Sequence, residues 1–197
     1  FKSAEILSKK RKEAALDLDQ KVMQELPPLK MEKARFITQI APLPEISWNE
    51  FGIDDISFSV STNPNSPQGP LGKIASGGEL ARFMLALKVN LASTSNVDTM
   101  IFDEVDSGIG GATAQAVGAR LARLAKDVQV LVVTHSPQVA AQSNQHFKVE
   151  KNTKDNITTT TVKELLGEDK HEEIARMLAG EVISNEARAA AKVLIGE

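Results

Sequence analysis

Asp103 and Glu104 stand side by side in "TMIFDEVDSG", directly behind an apolar run. One carboxylate in such a place can hold Mg²⁺, and the next can orient or deprotonate a water. Adjacent acids behind a strand also occur as ordinary loop charges, so the pair alone leaves both readings open. Asp106, two residues on, is equally a turn residue. His135 closes a second apolar run, "VQVLVVTH", and reaches the same edge if the two runs are neighbouring strands. His146 and His171 read as structural histidines.

A second constellation lies upstream, in "KIASGGELARFMLALKV", residues 73 to 89. Ser76 and Glu79 have the spacing of a capping box, which accounts for a helix start. Gly77 and Gly78 are left over, because each costs up to about 1 kcal/mol against alanine and a cap does not require them. Without a Cβ, a bulky anion can approach the unpaired N–H groups of a helix start, where the dipole favours negative charge. Ser76 adds a hydroxyl, so Ser76, Gly77, Gly78 and Glu79 form a candidate phosphate-contacting stretch.

Other site chemistries fit poorly. Three histidines and no cysteine offer no zinc spacing, and no Ser-His-Asp order is legible. A phosphate loop reads G-x-x-x-x-G-K-S/T, which nothing here matches. In "GPLGKI", Gly69 stands too close to Gly72, and Ile74 occupies the position of the metal-binding hydroxyl.

The elements that must position these groups follow from periodicity. Residues 1–26 carry Ile6, Leu7, Ala14, Leu18, Val22 and Leu26 at helical spacings among many charges, and "PPLK" stops the helix. "ARFITQIAP" and "ISFSVSTN" read as strands, joined by a loop holding Trp48. A helix after Ser76 places Leu80, Phe83, Met84, Leu87 and Leu91 on one stripe. "TMIF", the helix in "GGATAQAVGARLARLAK" and "VQVLVV" then form a strand–helix–strand crossover of a parallel sheet. Such a unit collects Asp103, Glu104 and His135 at the strands' carboxyl ends. Strands in "HFKVEK" and "NITTTTVKEL", and helices near 170–179 and 184–195, complete the pattern.

Composition bounds the partners. The 197 residues are 42% apolar and 25% charged, enough to bury a core. The net charge of −3 gives no general attraction to nucleic acid or acidic membranes. Lys9, Lys10, Arg11 and Lys12 form a local basic run, read as a solvated helix face. No apolar run has the length of a membrane span and no signal peptide is legible. With the lack of cysteine, this leads us to expect a cytoplasmic protein without membrane contact. A chain beginning at Phe1, inside a helical pattern, is expected to be part of something longer.

Taken in order, "SGGE", "TMIFDE", "VDSG" and "VVTHS" resemble the signature motif, Walker B motif, D-loop and switch histidine of an ABC-type ATPase. "KIASGGELAR", "IFDEVDSGIGG" and "VTHSPQVAAQSNQHF", preceded by "VSTNP", are similar to the SMC-related DNA repair branch of that family. The resemblance runs from about Phe1 to the end of the sequence. It implies an α/β fold: the C-terminal lobe of an ABC/SMC-type P-loop NTPase head, a mostly parallel sheet flanked by helices. Residues 1–26 would be the end of a returning coiled-coil arm and 27–197 the lobe itself.

The same resemblance implies ATP and Mg²⁺ as cofactors. Ser76, Gly77 and Gly78 would contact the γ-phosphate of ATP held by a partner protomer. Asp103 would hold Mg²⁺, Glu104 would be the general base and His135 would sense the γ-phosphate. Asp106 would couple the two sites across the dimer, while Gln138 matches the pattern without a chemical role. The implied partners are an N-terminal lobe of the same protein carrying Walker A, a second head in an ATP-dependent homodimer, and DNA through the complete protein. Two rivals stand beside this: a non-catalytic interaction lobe, which has no need of Asp103-Glu104 beside His135, and a different SMC-like ATPase, from which "VDSGIGG" points away.

Overall fold

The computed structural model describes residues 2–64, 67–73, 77–94, 97–154, 157–180 and 182–196. The chain divides into two compact units, Phe1–Asp98 and Thr99–Glu197.

The first unit begins with α1 (Lys2–Glu25), which Pro27 and Pro28 end in a short 3-10 turn, Pro27–Leu29. Strands β1 (Arg35–Pro42) and β2 (Asp54–Ser61) pair antiparallel from Arg35↔Ser61 to Pro42↔Asp54. A two-residue strand, β3 (Gly69–Pro70), extends that sheet. Helix α2 (Gly77–Leu91) buries Phe83, Leu85, Ala86 and Leu87, and also Arg82. Of the expected stripe, Phe83 and Leu87 are buried while Leu80, Met84 and Leu91 are half-buried. Burial extends well around this helix, as suits a core element rather than a surface one.

The buried side of α1 matches the expected one only toward its C-terminal end, where Val22 and the following Leu26 are fully buried and Leu18 is half-buried. Toward the N-terminal end Ile6 is 59% exposed and Leu7 and Ala14 also face solvent, whereas Ser8 and Ala15 are buried. Polar contacts select this face. Ser8 Oγ donates to Asp54 Oδ1 at 2.7 Å and Arg11 Nη1 to Asp54 Oδ2 at 3.1 Å. Asp19 Oδ1 accepts from both the backbone N–H and the hydroxyl of Thr38. Arg11 therefore leaves the solvated basic face in which it was expected, while Lys9 stays exposed beside Glu13.

The second unit holds the crossover: β4 (Thr99–Asp103), α3 (Gly111–Leu124) and β5 (Gln129–Val133), with β4 and β5 parallel in register Thr99↔Gln129 to Asp103↔Val133. Ala114, Val117, Leu121 and Leu124 form the buried stripe of α3. Met100 and Phe102 are buried on one face of the strand pair, while Ile101, Leu131 and Val133 are exposed on the other. A one-turn helix, α4 (Pro137–Ala140), leads to an antiparallel ribbon, β6 (His146–Lys154) and β7 (Ile157–Leu165). Helices α5 (Glu168–Ala179) and α6 (Asn185–Ile195) pack around Ile174, Ala175 and Ala191. The α/β class holds; among the described residues β4–β5 is parallel, and the sheets β1–β2–β3 and β6–β7 are antiparallel. Among the described residues no helix is long and apolar enough to cross a membrane.

Candidate active site

Parallel strands lie about 4.8 Å apart, so their carboxyl ends bring consecutive sequence motifs together. Asp103 is the last residue of β4, opposite Val133. The pairing continues one step further, with the Glu104 N–H donating to the Val133 carbonyl at 3.1 Å. Thr134 and His135 follow Val133 directly, so Asp103, Glu104 and His135 belong to one edge of one unit. All three are exposed to solvent.

Glu104 adopts φ +49°, in the left-handed region, without being glycine. That conformation costs a non-glycine residue about 1–2 kcal/mol and is concentrated at functional sites. It turns the chain sharply off the strand end, and the Ser107 N–H closes the turn on the Glu104 carbonyl at 2.9 Å.

Asp106 behaves unlike its neighbours. It is 1% exposed. Its Oδ2 accepts from the Thr134 hydroxyl at 2.5 Å, and Thr134 Oγ1 in turn accepts the Ser136 N–H at 2.9 Å. Oδ1 is buried with no hydrogen-bond partner among the described residues. Leaving such an acceptor unpaired costs about 1–3 kcal/mol, so this carboxylate is not placed for stability alone. Sequence reasoning passed over Thr134; the available signal was a hydroxyl at the strand end, between the apolar run and His135.

Gln138 acquires a structural part. Its Oε1 accepts from Ser136 Oγ at 2.9 Å, and its carbonyl oxygen lies 3.0 Å from where a Cβ on Gly118 would stand. Gly118 thus lets α3 approach α4 closely and fixes the segment that follows His135.

The other candidate stretch lies in the first unit. Ser76 is outside the described residues. Gly77 opens α2 and is exposed, and a Cβ built on it would meet none of the described residues beyond its chain neighbours within 4 Å. Glu79 shares its charge with Arg82: burial disfavours the Arg82 guanidinium charge, and Glu79 partly restores it. Glu79 is therefore engaged along its own helix.

Mg²⁺ fits the donor set. It takes few protein carboxylates and leaves its remaining positions to water and phosphate oxygens. An exposed Asp103 at the strand end suits that role. No group of three or more His, Asp or Glu side chains able to hold a metal occurs among the described residues.

No family model matches the sequence. The chain is 46% identical over 195 residues to DNA repair protein RecN of Rickettsia bellii, covering 99% of this chain and 35% of the relative. It is 40% identical over 187 residues to RecN of Halalkalibacterium halodurans and 42% over 202 residues to RecN of Streptomyces coelicolor. The chain thus spans about a third of the curated relatives that it matches. In structure it resembles the Smc head domain with a coiled coil and joint from Pyrococcus yayanosii, with a TM-score of 0.57 and 15% identity over 84% of this chain and 29% of that one. A Pyrococcus furiosus Smc head domain with an extended coiled coil, bound to the C-terminal domain of ScpA, gives a TM-score of 0.54 at 16% identity over 86% of this chain and 39% of the other. These two structures establish the fold alone.

Proposed function

We propose that this RecN-like chain supplies the C-terminal half of a composite ATPase head that acts in bacterial DNA double-strand break repair and recombination. The observation that carries the reading is the meeting of Asp103, Glu104 and His135 at the carboxyl ends of two paired parallel strands. In this reading residues 1–26 are the root of a coiled-coil arm, residues 27–197 are the lobe, and the protein is cytoplasmic. The exposed Ile101, Leu131 and Val133 support a further lobe, carrying Walker A, that covers the open face of the strand pair.

Each residue has one task. Glu104 takes the proton of the water that attacks the γ-phosphate, since a carboxylate at a strand end can reach that water while remaining accessible. His135 hydrogen-bonds the γ-phosphate and reports its presence. Asp103 would hold Mg²⁺ through water, and the ion would supply charge neutralisation to the phosphates when bound. Ser76, Gly77 and Gly78 face the ATP of the partner head in a homodimer, with Glu79 bracing the helix start. DNA binding belongs to the complete protein.

The test uses the complete protein. Glu104→Gln retains ATP-dependent dimers and loses turnover by about 10²- to 10⁴-fold, because the base is gone and the phosphate contacts are not. Hydrolysis near the wild-type rate in that variant removes Glu104 from the role. Absence of both hydrolysis and ATP-dependent association in the folded wild-type protein leaves the interaction-lobe reading in its place.

A further inference from the structure

Two main-chain segments carry the proposed catalytic groups, and two links join them. One is the Glu104 N–H to Val133 carbonyl bond, which extends the β-ladder. The other runs through side chains: Asp106 Oδ2 accepts from Thr134 Oγ1, and Thr134 Oγ1 accepts from the Ser136 N–H. Thr134 and Ser136 flank His135 on either side, so this chain of bonds brackets the histidine's backbone. Its far end is anchored in the turn that begins at Glu104, where Ser107 N–H closes on the Glu104 carbonyl and Ile109 N–H on that of Asp106.

A contact across a dimer needs an accessible group. Asp106 is 1% exposed and one of its oxygens is already taken within its own chain. Thr134 is half-buried, its hydroxyl held between carboxylate and amide, whereas Glu104 and His135 are open to solvent. The arrangement is that of a buried brace beneath two exposed working groups, held in place by hydrogen bonds rather than by packing alone.

We propose that Asp106 is a positioning residue that acts inside its own chain, fixing His135 relative to Glu104 through the Thr134 hydroxyl. This rests on the ATPase reading above and replaces the coupling across the dimer that the resemblance implied for Asp106. The bond has two consequences. Losing it lets the His135 segment move against the Glu104 turn, which slows the chemical step. It leaves nucleotide binding and head association intact, because Asp106 is buried and the Thr134 hydroxyl is held within its own chain.

The experiment is a set of variants in the complete protein, read by kcat, KM for ATP, ATP-dependent dimerisation and thermal unfolding. Thr134→Val keeps the shape and removes the donor; Asp106→Ala removes the acceptor. Each lowers kcat about 10- to 100-fold, as displacements of about an ångström do, with KM and dimer affinity within about threefold of wild type. The double variant is no slower than the worse single one, and Thr134→Ser restores turnover. If Asp106→Ala fails to fold, Thr134→Val and Thr134→Ser carry the comparison alone. Normal turnover in Thr134→Val overturns the proposal, as does loss of dimerisation in Asp106→Ala with Thr134→Val unaffected. An NMR readout separates this from failure of the ATPase reading: with histidines labelled, Thr134→Val displaces the His135 ring signal and leaves those of His146 and His171 in place, whether or not the protein hydrolyses ATP. An unmoved His135 signal overturns the brace.

Discussion

Arg11 and Asp54, 43 residues apart, are joined at 3.1 Å across the face of the first sheet, with Ser8 on the other carboxylate oxygen at 2.7 Å. Burial alone would raise the Asp54 pKa, and the Ser8 and Arg11 bonds outweigh it and hold the carboxyl below its ordinary value. The helix is fastened here by polar groups where sequence periodicity suggested an apolar seam. Asp54→Ala leaves Arg11 and Ser8 without this acceptor and costs about 2 kcal/mol. Hydrogen exchange of the α1 amides measures it: exchange accelerates around Ser8 and Arg11 in the variant. Unchanged exchange would assign the fastening to Ala15 and Val22.

Glu104 holds a left-handed backbone at φ +49°. Relieving that conformation and removing the side chain have opposite effects. Glu104→Gly gains about 0.5–1 kcal/mol, the cost of the conformation less the greater freedom of glycine in the unfolded chain. Its ATP hydrolysis falls as steeply as in Glu104→Gln. Thermal unfolding and turnover measured on the same sample separate the two. A less stable Glu104→Gly shows that the turn carries no strain.

Long elements with one dominant period were legible in the sequence: α2, α3, both parallel strands and the ribbon fall within a few residues of expectation. Elements without enough residues to show a period were not. β3 has two residues and α4 has four, and both are defined by what they pack against. The face of α1 was legible at Val22 and Leu26 but not in its first half, where Ser8 and Arg11 make the contacts to the sheet and Ile6 and Leu7 remain outside. The strand-end site was legible because a crossover of known hand collects its residues at one edge. The burial of Asp106 was not, since an acid in a turn reads as solvent-facing until its donor, Thr134, is placed.

Glu173 of α5 and His146 of β6 make the second unit sensitive to acid. Burial would push its carboxyl up, and Arg176, at 2.6 and 2.9 Å, with Lys148 of β6, at 3.1 Å, holds it below its ordinary value of 4.5. His146 on the same ribbon is pushed below 6.5, chiefly by burial; Glu173 favours its charged form and Lys170 disfavours it. For both groups the unfolded chain binds its proton first, so stability is fully present above the ordinary value and falls as pH drops through it. Urea midpoints followed from pH 8 to pH 3 are expected to decline in two steps, the first from His146 and the second from Glu173. Glu173→Gln shrinks the lower step, leaving the part that comes from Asp54. A single step unchanged by that substitution would place the acid sensitivity elsewhere.

Gly118 allows α3 and α4 to touch. A Cβ there would lie 3.0 Å from the Gln138 carbonyl oxygen and 3.2 Å from Val139 Cα, both main-chain atoms, and 2.9 Å from the more yielding Gln142 Cγ. Gly118→Ala forces the helices apart and costs about 1–3 kcal/mol, despite alanine's better helix propensity. Because α4 starts two residues after His135, turnover in the complete protein falls with stability. A variant as stable as wild type would show that α4 yields freely.

Gly77 presents the opposite case. It opens α2 without a left-handed backbone, and none of the described residues beyond its chain neighbours stands where a Cβ would be. Nothing within the described residues therefore requires glycine, and alanine should improve the helix by up to about 1 kcal/mol. A residue that weakens its own element in open space is explained if a bulky anion from another molecule comes up against the exposed N–H groups. Gly77→Ala separates the two environments: in the absence of nucleotide the complete protein unfolds at the same or a higher temperature, while ATP-dependent dimerisation weakens about tenfold or more as the methyl group displaces the phosphate. Sedimentation with and without ATP, beside thermal unfolding, measures both effects. If Gly77→Ala stabilises the protein and dimerises normally with ATP, then no phosphate approaches this helix end, and the composite site must be built without it.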